Sequence, residues 1–140
     1  MTQDEIRAAI VASPDLQALV PDTGALAAAL SAGRTRIESK EIGVGTILMV
    51  LQPHGGAFLD GLVALGQTDR NVFWSMVLIQ AGKFDVGLPG TRAQMQALAQ
   101  ARSSLNEAFS ALLALAEVAD PVGEFDVRCA IFADDGTLRV

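Results

Sequence analysis

Helix-start chemistry recurs along this chain often enough to leave little room for a sheet. Thr2 with Glu5, Thr91 with Gln94 and Ser104 with Glu107 each match S/T-x-x-E/Q. In that arrangement two side chains satisfy amide donors that a helix N-terminus leaves without partners. Ser13 before Pro14 adds a fourth start, with proline where its missing N–H does no harm. These marks predict helices at about 3–12, 14–20 and 23–32, the last stopped by Gly33. The expectation is a mainly α fold, a compact multi-helix bundle formed by residues 1–140 as a single helical domain.

The middle of the chain supports that class. RTRIESKEIG reads as a short strand or an extended crossing segment near 34–39. GTILMVLQ is a short apolar run that period alone leaves open between buried strand and buried helix, and its helical neighbours favour helix. In PHGGAFLDGLVALG, Phe58, Leu62 and Leu65 recur at helical spacing with Leu59 and Val63 beside them, an amphipathic pattern. TDRNVFWSMVLIQAG follows a Thr68 cap and is apolar nearly all round, which predicts a central helix at about 69–81 enclosed by the others and stopped by Gly82. KFDVGLPG is a connector. Helices at 92–101 and 105–118 complete the run, either separate or fused with a kink near Ser103 and Ser104.

The tail EFDVRCAIFADDGTLRV allows two readings. Phe125, Val127, Cys129 and Ile131 alternate with polar or small residues as in a strand, and Asp-Asp-Gly suits a hairpin turn. Against this, DVRCAIFAD at 126–134 matches EIRAAIVAS at 5–13 almost class for class, and the first copy sits behind a capping box. The same spacing puts Val127, Ala130 and Ile131 on one helical face. We therefore expect a helix at about 124–134, started by Asp120 and Pro121 and closed by Gly136, with 137–140 extended. A match of nine residues is too short to imply a repeat architecture.

Sixteen acidic residues against ten basic ones give a net charge of −6, which disfavours nucleic acid and anionic lipid as partners. The lone Cys129 has no intramolecular disulfide partner, so packing holds the fold and a reducing compartment suits it. The N-terminus MTQDEIRAAI is acidic where a secretory signal is basic, so no export signal is expected. No apolar run approaches the ~20 residues that span a bilayer, so no membrane partner is expected either. Apolar residues nevertheless make up 51% of the chain, a surplus suited to burial against copies of itself or a partner.

No catalytic set emerges. His54 in PHGG is the only histidine, and the oxyanion-loop reading of His-Gly-Gly requires a G-x-S-x-G nucleophile that the chain lacks. GVGT and GRTR lack the spacing of a phosphate-binding loop. Asp120, Glu124, Asp126, Asp134 and Asp135 do not reproduce a calcium loop, and Cys129 has no neighbouring histidine or second cysteine. Trp74 and Met76 read as packing residues. The expectation is a non-enzymatic protein with no catalytic, cofactor-binding or metal-binding residues and no cofactor. Arg34 and Arg36 lie on one side of an extended segment, suited either to carboxylates of an adjacent subunit or to a partner within the chain. With Leu138, Arg139 and Val140 of the alternating tail they form the candidate interface. The two short extended segments would pair with each other or add to an edge on a neighbouring copy.

SAGRTRIESKEIGVGTIL, FLDGLVALG and FDVGLPGTRAQMQAL, within Ser31 to Leu98, resemble small, uncharacterised proteins encoded in the structural gene modules of tailed bacteriophages and prophages. The GRTR and DVG-x-P-x-TR segments are the most distinctive. The resemblance implies a virion or assembly protein packing in the head, neck or tail, with other phage particle proteins and copies of itself as partners. It implies location in the virion, or in the host cytoplasm during assembly. The alternative is a small cytosolic helical binding or regulatory module for a peptide or apolar ligand.

Overall fold

The computed structural model describes residues 1–140 and is mainly helical. In chain order the elements are α1 (Gln3–Ala12), α2 (Pro14–Gln17), α3 (Thr23–Ser31), β1 (Thr35–Ile37), β2 (Glu41–Ile42), α4 (Val44–Val50), α5 (Gly55–Gly66), α6 (Arg70–Gln80), β3 (Phe84–Asp85), α7 (Pro89–Ala101), α8 (Asn106–Ala114), β4 (Glu117–Ala119) and α9 (Glu124–Ile131). A 3-10 turn at Ser103–Leu105 precedes α8. β1 pairs with β4 and β2 with β3. Backbone contacts gather into a terminal unit, Met1–Arg36 with Ala119–Val140, and a middle unit, Ile37–Val118. No helix is long and apolar enough to cross a membrane.

In the terminal unit α1 begins as expected. The Thr2 hydroxyl accepts from the Glu5 amide at 3.2 Å while the Thr2 amide donates to the Glu5 carboxylate at 2.6 Å. The Ser13 hydroxyl accepts from the Leu16 amide and Pro14 opens α2. Helix α9 packs on both α1 and α3. The two matching segments are thus packing partners, and they bury corresponding positions: Ile6 and Val127, Ile10 and Ile131 are all sealed from solvent. The Arg7 guanidinium crosses to donate to the Ala130 carbonyl at 3.2 Å.

The tail contains something of both sequence readings. Residues 124–131 are helical, and the chain then doubles back through Asp-Asp-Gly so that Phe132 and Leu138 form an antiparallel bridge. Gly136, with φ of +85°, serves this turn and not the helix end, which is capped at Phe132. The expected start at Asp120 and Pro121 is also displaced, to Gly123, because the Asp120 carboxylate is engaged with Arg34 and Arg36.

The middle unit is organised around Phe58, Leu62, Val72, Met76, Met95, Phe109 and Leu112, with the Phe58 and Phe109 rings edge to face at 5.4 Å. Helices α5 and α6 form a tight hairpin linked by three residues. Gly66 permits the approach, since a Cβ there would stand 3.2 Å from the Phe73 Cα. Strands β2 and β3 are antiparallel with Ile42 opposite Phe84. Asp85 ties down the adjoining loop by accepting from the Lys40 and Gly87 amides at 2.9 and 2.8 Å and from the Ser39 hydroxyl.

Several expectations are corrected here. The helix expected at 69–81 forms as α6, but it is not an enclosed centre, because only Val72, Met76 and Ile79 are buried along its core-facing side. Its exposed side gives no support to the expected bundle packed around it. Extended pieces are not confined to 34–39 and 137–140, since β2, β3 and β4 also form. The last helix before the tail stops at Ala114 and gives way to β4. Thr91 does not cap a helix. It lies inside α7, which Pro89 opens two residues earlier, and Ser104 sits in the 3-10 turn. The cap of α6 is Asp69, whose carboxylate accepts from the Asn71 and Val72 amides, while Thr68 instead donates to the Leu65 carbonyl.

Candidate interaction surface

The candidate residues at the two ends of the chain fall into two local networks within the terminal unit. Arg34 Nη2 donates to Asp120 Oδ2 at 2.8 Å, and its Nε reaches the Asp120 carbonyl at 3.3 Å. Arg36 Nη1 lies 3.6 Å from Asp120 Oδ1 and donates to the Ala119 carbonyl at 3.3 Å. Two guanidinium groups therefore hold one carboxylate. Hydrogen bonding from Arg34, reinforced by the charges of Arg34 and Arg36, keeps the Asp120 carboxyl below its usual pKa against an opposing desolvation. Of the two pairings open to these arginines, the structure contains the one within the chain.

The second network is the turned-back tail. The Ala133 amide donates to the Thr137 carbonyl at 2.8 Å and the Arg139 amide to the Ile131 carbonyl at 2.7 Å. Asp135 accepts from the Thr137 hydroxyl and amide, which lowers its pKa. The side chains of Leu138, Arg139 and Val140 remain on the surface. Arg139 joins Arg128, Asp134 and the half-buried Cys129 around an open concavity. His54, Ser104 and Glu107 line another concavity beside Leu51 and Phe58. No hydrogen bond links those three side chains, so they do not form a proton relay as arranged.

The middle unit presents a surface that sequence reasoning missed. On α6 the buried residues Val72, Met76 and Ile79 face the core, while Phe73, Trp74, Val77 and Leu78 are exposed, Trp74 by 58%. Val63 of α5 joins Phe73 and Val77 in lining a groove of about 180 Å³. Phe73 and Trp74 pack edge to face at 5.1 Å. The Arg70 guanidinium lies 4.3 Å from the Phe73 ring centroid and 5.8 Å from that of Trp74, a geometry in which the cation is drawn to the ring faces. A helix apolar on all sides reads the same in sequence whether neighbours cover it fully or on one side only. The scarcity of charge around it was the available signal: from Gly43 to Gly82 only Asp60, Asp69 and Arg70 are charged, apart from the titratable His54.

Such a face can do little chemistry. It supplies contact area, a groove and one aromatic knob, the means by which a protein packs against another surface. In comparison with known proteins, the chain matches no family model, no curated protein and no solved structure.

Proposed function

We propose that this chain is a non-enzymatic virion or assembly protein of a tailed bacteriophage or prophage, working by packing against other particle proteins in the head, neck or tail. The exposed apolar face of the α5–α6 hairpin is the observation that carries the packing part of this reading, because isolated apolar side chains are common on protein surfaces whereas a contiguous aromatic patch is not. The particle part rests on the resemblance of the segments between Ser31 and Leu98. An acidic chain with a charge-poor, aromatic-bearing helical face is suited to a protein surface more than to nucleic acid.

The alternative, a small cytosolic helical binding or regulatory module for a peptide or apolar ligand, would draw on the same α5–α6 groove and finds little room in the interior. The void enclosed by Ile47, Phe58, Met76, Met95 and Phe109 has a volume of about 20 Å³, space on the order of a single water. Mass spectrometry of purified particles tests the proposal: the protein should be present in particles, or particles should fail to assemble in its absence. A protein absent from particles, whose deletion leaves assembly unchanged, would reject it.

A further inference from the structure

From the shape, area and charge of the α5–α6 face, we infer that this face is an isologous dimer interface whose occupant is the same face of a second copy of the chain, with the hairpins antiparallel. This inference rests on reading the hairpin as a packing surface and specifies its partner.

Shape comes first. A two-fold interface requires a surface to be complementary to itself. This one carries both halves of such a fit, since Trp74 projects from α6 beside the groove lined by Val63, Phe73 and Val77. The groove, at about 180 Å³, is of the size that admits one aromatic ring, given that a cavity of ~150 Å³ takes up benzene. In a two-fold pair, each Trp74 enters the groove of the other copy.

Area agrees. Val63, Phe73, Trp74, Val77 and Leu78 are 39–58% exposed. With roughly 150–250 Å² per complete aromatic side chain, Phe73 and Trp74 alone present roughly 150–240 Å² of apolar surface, to which Val63, Val77 and Leu78 add. A stable interface of ordinary size buries about 800 Å² per partner, of which about 56–58% is non-polar, or roughly 450 Å². The patch therefore supplies the apolar centre of such an interface, and the polar residues around it supply the rim.

Charge selects both the partner and its direction. The whole chain carries −6, so copies repel one another over most of their surface, whereas the α5–α6 hairpin contains one cation and two acids. Asp69 is half-buried where it caps α6, which leaves Arg70 and Asp60 as the exposed charges of the hairpin. Helical periodicity puts Asp60 on the α5 face that carries Val63 and Gln67, and Arg70 on the α6 face that carries Phe73 and Val77. The antiparallel hairpin, with Gly66 beside Phe73, then places Arg70 and Asp60 at opposite ends of the patch. Neither forms an ion pair within the chain. If two faces meet in parallel, Arg70 opposes Arg70; if they meet antiparallel, each Arg70 opposes the Asp60 of the other copy. Like charges oppose the first arrangement and attraction favours the second. An anionic membrane has no corresponding attraction to a hairpin with a single cation.

Sedimentation equilibrium of the full-length protein tests the inference, with folding checked by circular dichroism for each variant. The wild type should dimerise with a Kd of about 10 μM or tighter, the weak end for an interface of this size. Trp74→Ala should weaken the dimer by about 30-fold or more, as for a central aromatic anchor. Arg70→Asp and Asp60→Arg should each weaken it by about 10-fold, and the double swap should restore it to within about 3-fold. A wild-type monomer at ~100 μM, a dimer indifferent to Trp74→Ala, or singles that the double swap fails to rescue would overturn the inference. A monomer that is nevertheless incorporated into particles would assign the face to a different particle protein, which also overturns the dimer while leaving the proposed function standing. A dimer absent from particles and dispensable for assembly has the opposite meaning.

Discussion

The terminal and middle units both bury short helices, yet they are assembled from different materials. The terminal unit draws on both ends of the chain, with nine acidic and five basic side chains for a net −4, and uses polar contacts such as Arg34–Asp120 and Arg7–Ala130 to join segments distant in sequence. The middle unit is continuous in sequence, has seven acidic against five basic side chains for a net −2, and contains the larger apolar cluster. It also exposes an aromatic face. The contrast separates two uses of apolar residues. In the terminal unit α1 and α9 bury one stripe against each other and leave Val11 and Phe125 exposed one to a helix, whereas in the middle unit α6 exposes Phe73, Trp74, Val77 and Leu78 together.

The sharpest way to break this comparison is to open a cavity in one core at a time. Phe109→Ala in the middle unit should cost about 3–5 kcal/mol, and Ile131→Ala in the terminal unit about 2–5 kcal/mol. Native-state hydrogen exchange should show protection falling mainly in the unit that carries the substitution. Equal loss of protection in both units after either change would mean that they unfold as one.

Helix caps give a smaller effect. Thr2→Ala in the terminal unit and Asp69→Ala in the middle unit should each cost about 1 kcal/mol, because each removes a side-chain acceptor from the amides of a first helical turn. Thr91→Ala, inside α7, should stay within about 0.5 kcal/mol. Urea unfolding checks all three, and a Thr91 effect equal to that of Asp69 would contradict the observed helix starts.

Acid sensitivity should show the smallest difference. Asp120 in the terminal unit is held low first by its Arg34 hydrogen bond, and Asp85 in the middle unit first by the Ser39 hydroxyl and then by the Lys40 and Gly87 amides. A carboxyl whose folded pKa lies below its unfolded value contributes stability above the unfolded value, about 3.9 for Asp. That contribution disappears as pH falls through the folded pKa. Stability should therefore decline below about pH 4, and Asp120→Asn and Asp85→Asn should each flatten part of that decline in unfolding curves taken between about pH 2 and 7. An unchanged acid limb in both variants would place the sensitivity elsewhere.

Local chemistry alone determined most of the secondary structure. The capping box at Thr2, the Ser13–Pro14 start and the 3.6-residue stripes of α1, α5 and α9 specify helices through interactions within a few residues, so they could be read directly. The match between residues 5–13 and 126–134 likewise identified the helical part of the tail. Tertiary structure decided what depends on distant neighbours. Competing starts a few residues apart left Thr91 inside a helix and gave the α6 cap to Asp69 instead of Thr68. The carboxylate of Asp120 is drawn away from helix capping by two arginines more than 80 positions distant in the sequence. The exposed side of α6 belongs to the same class, because periodicity reports which residues share a face, whereas the number of neighbours that cover that face is set only when the other helices pack.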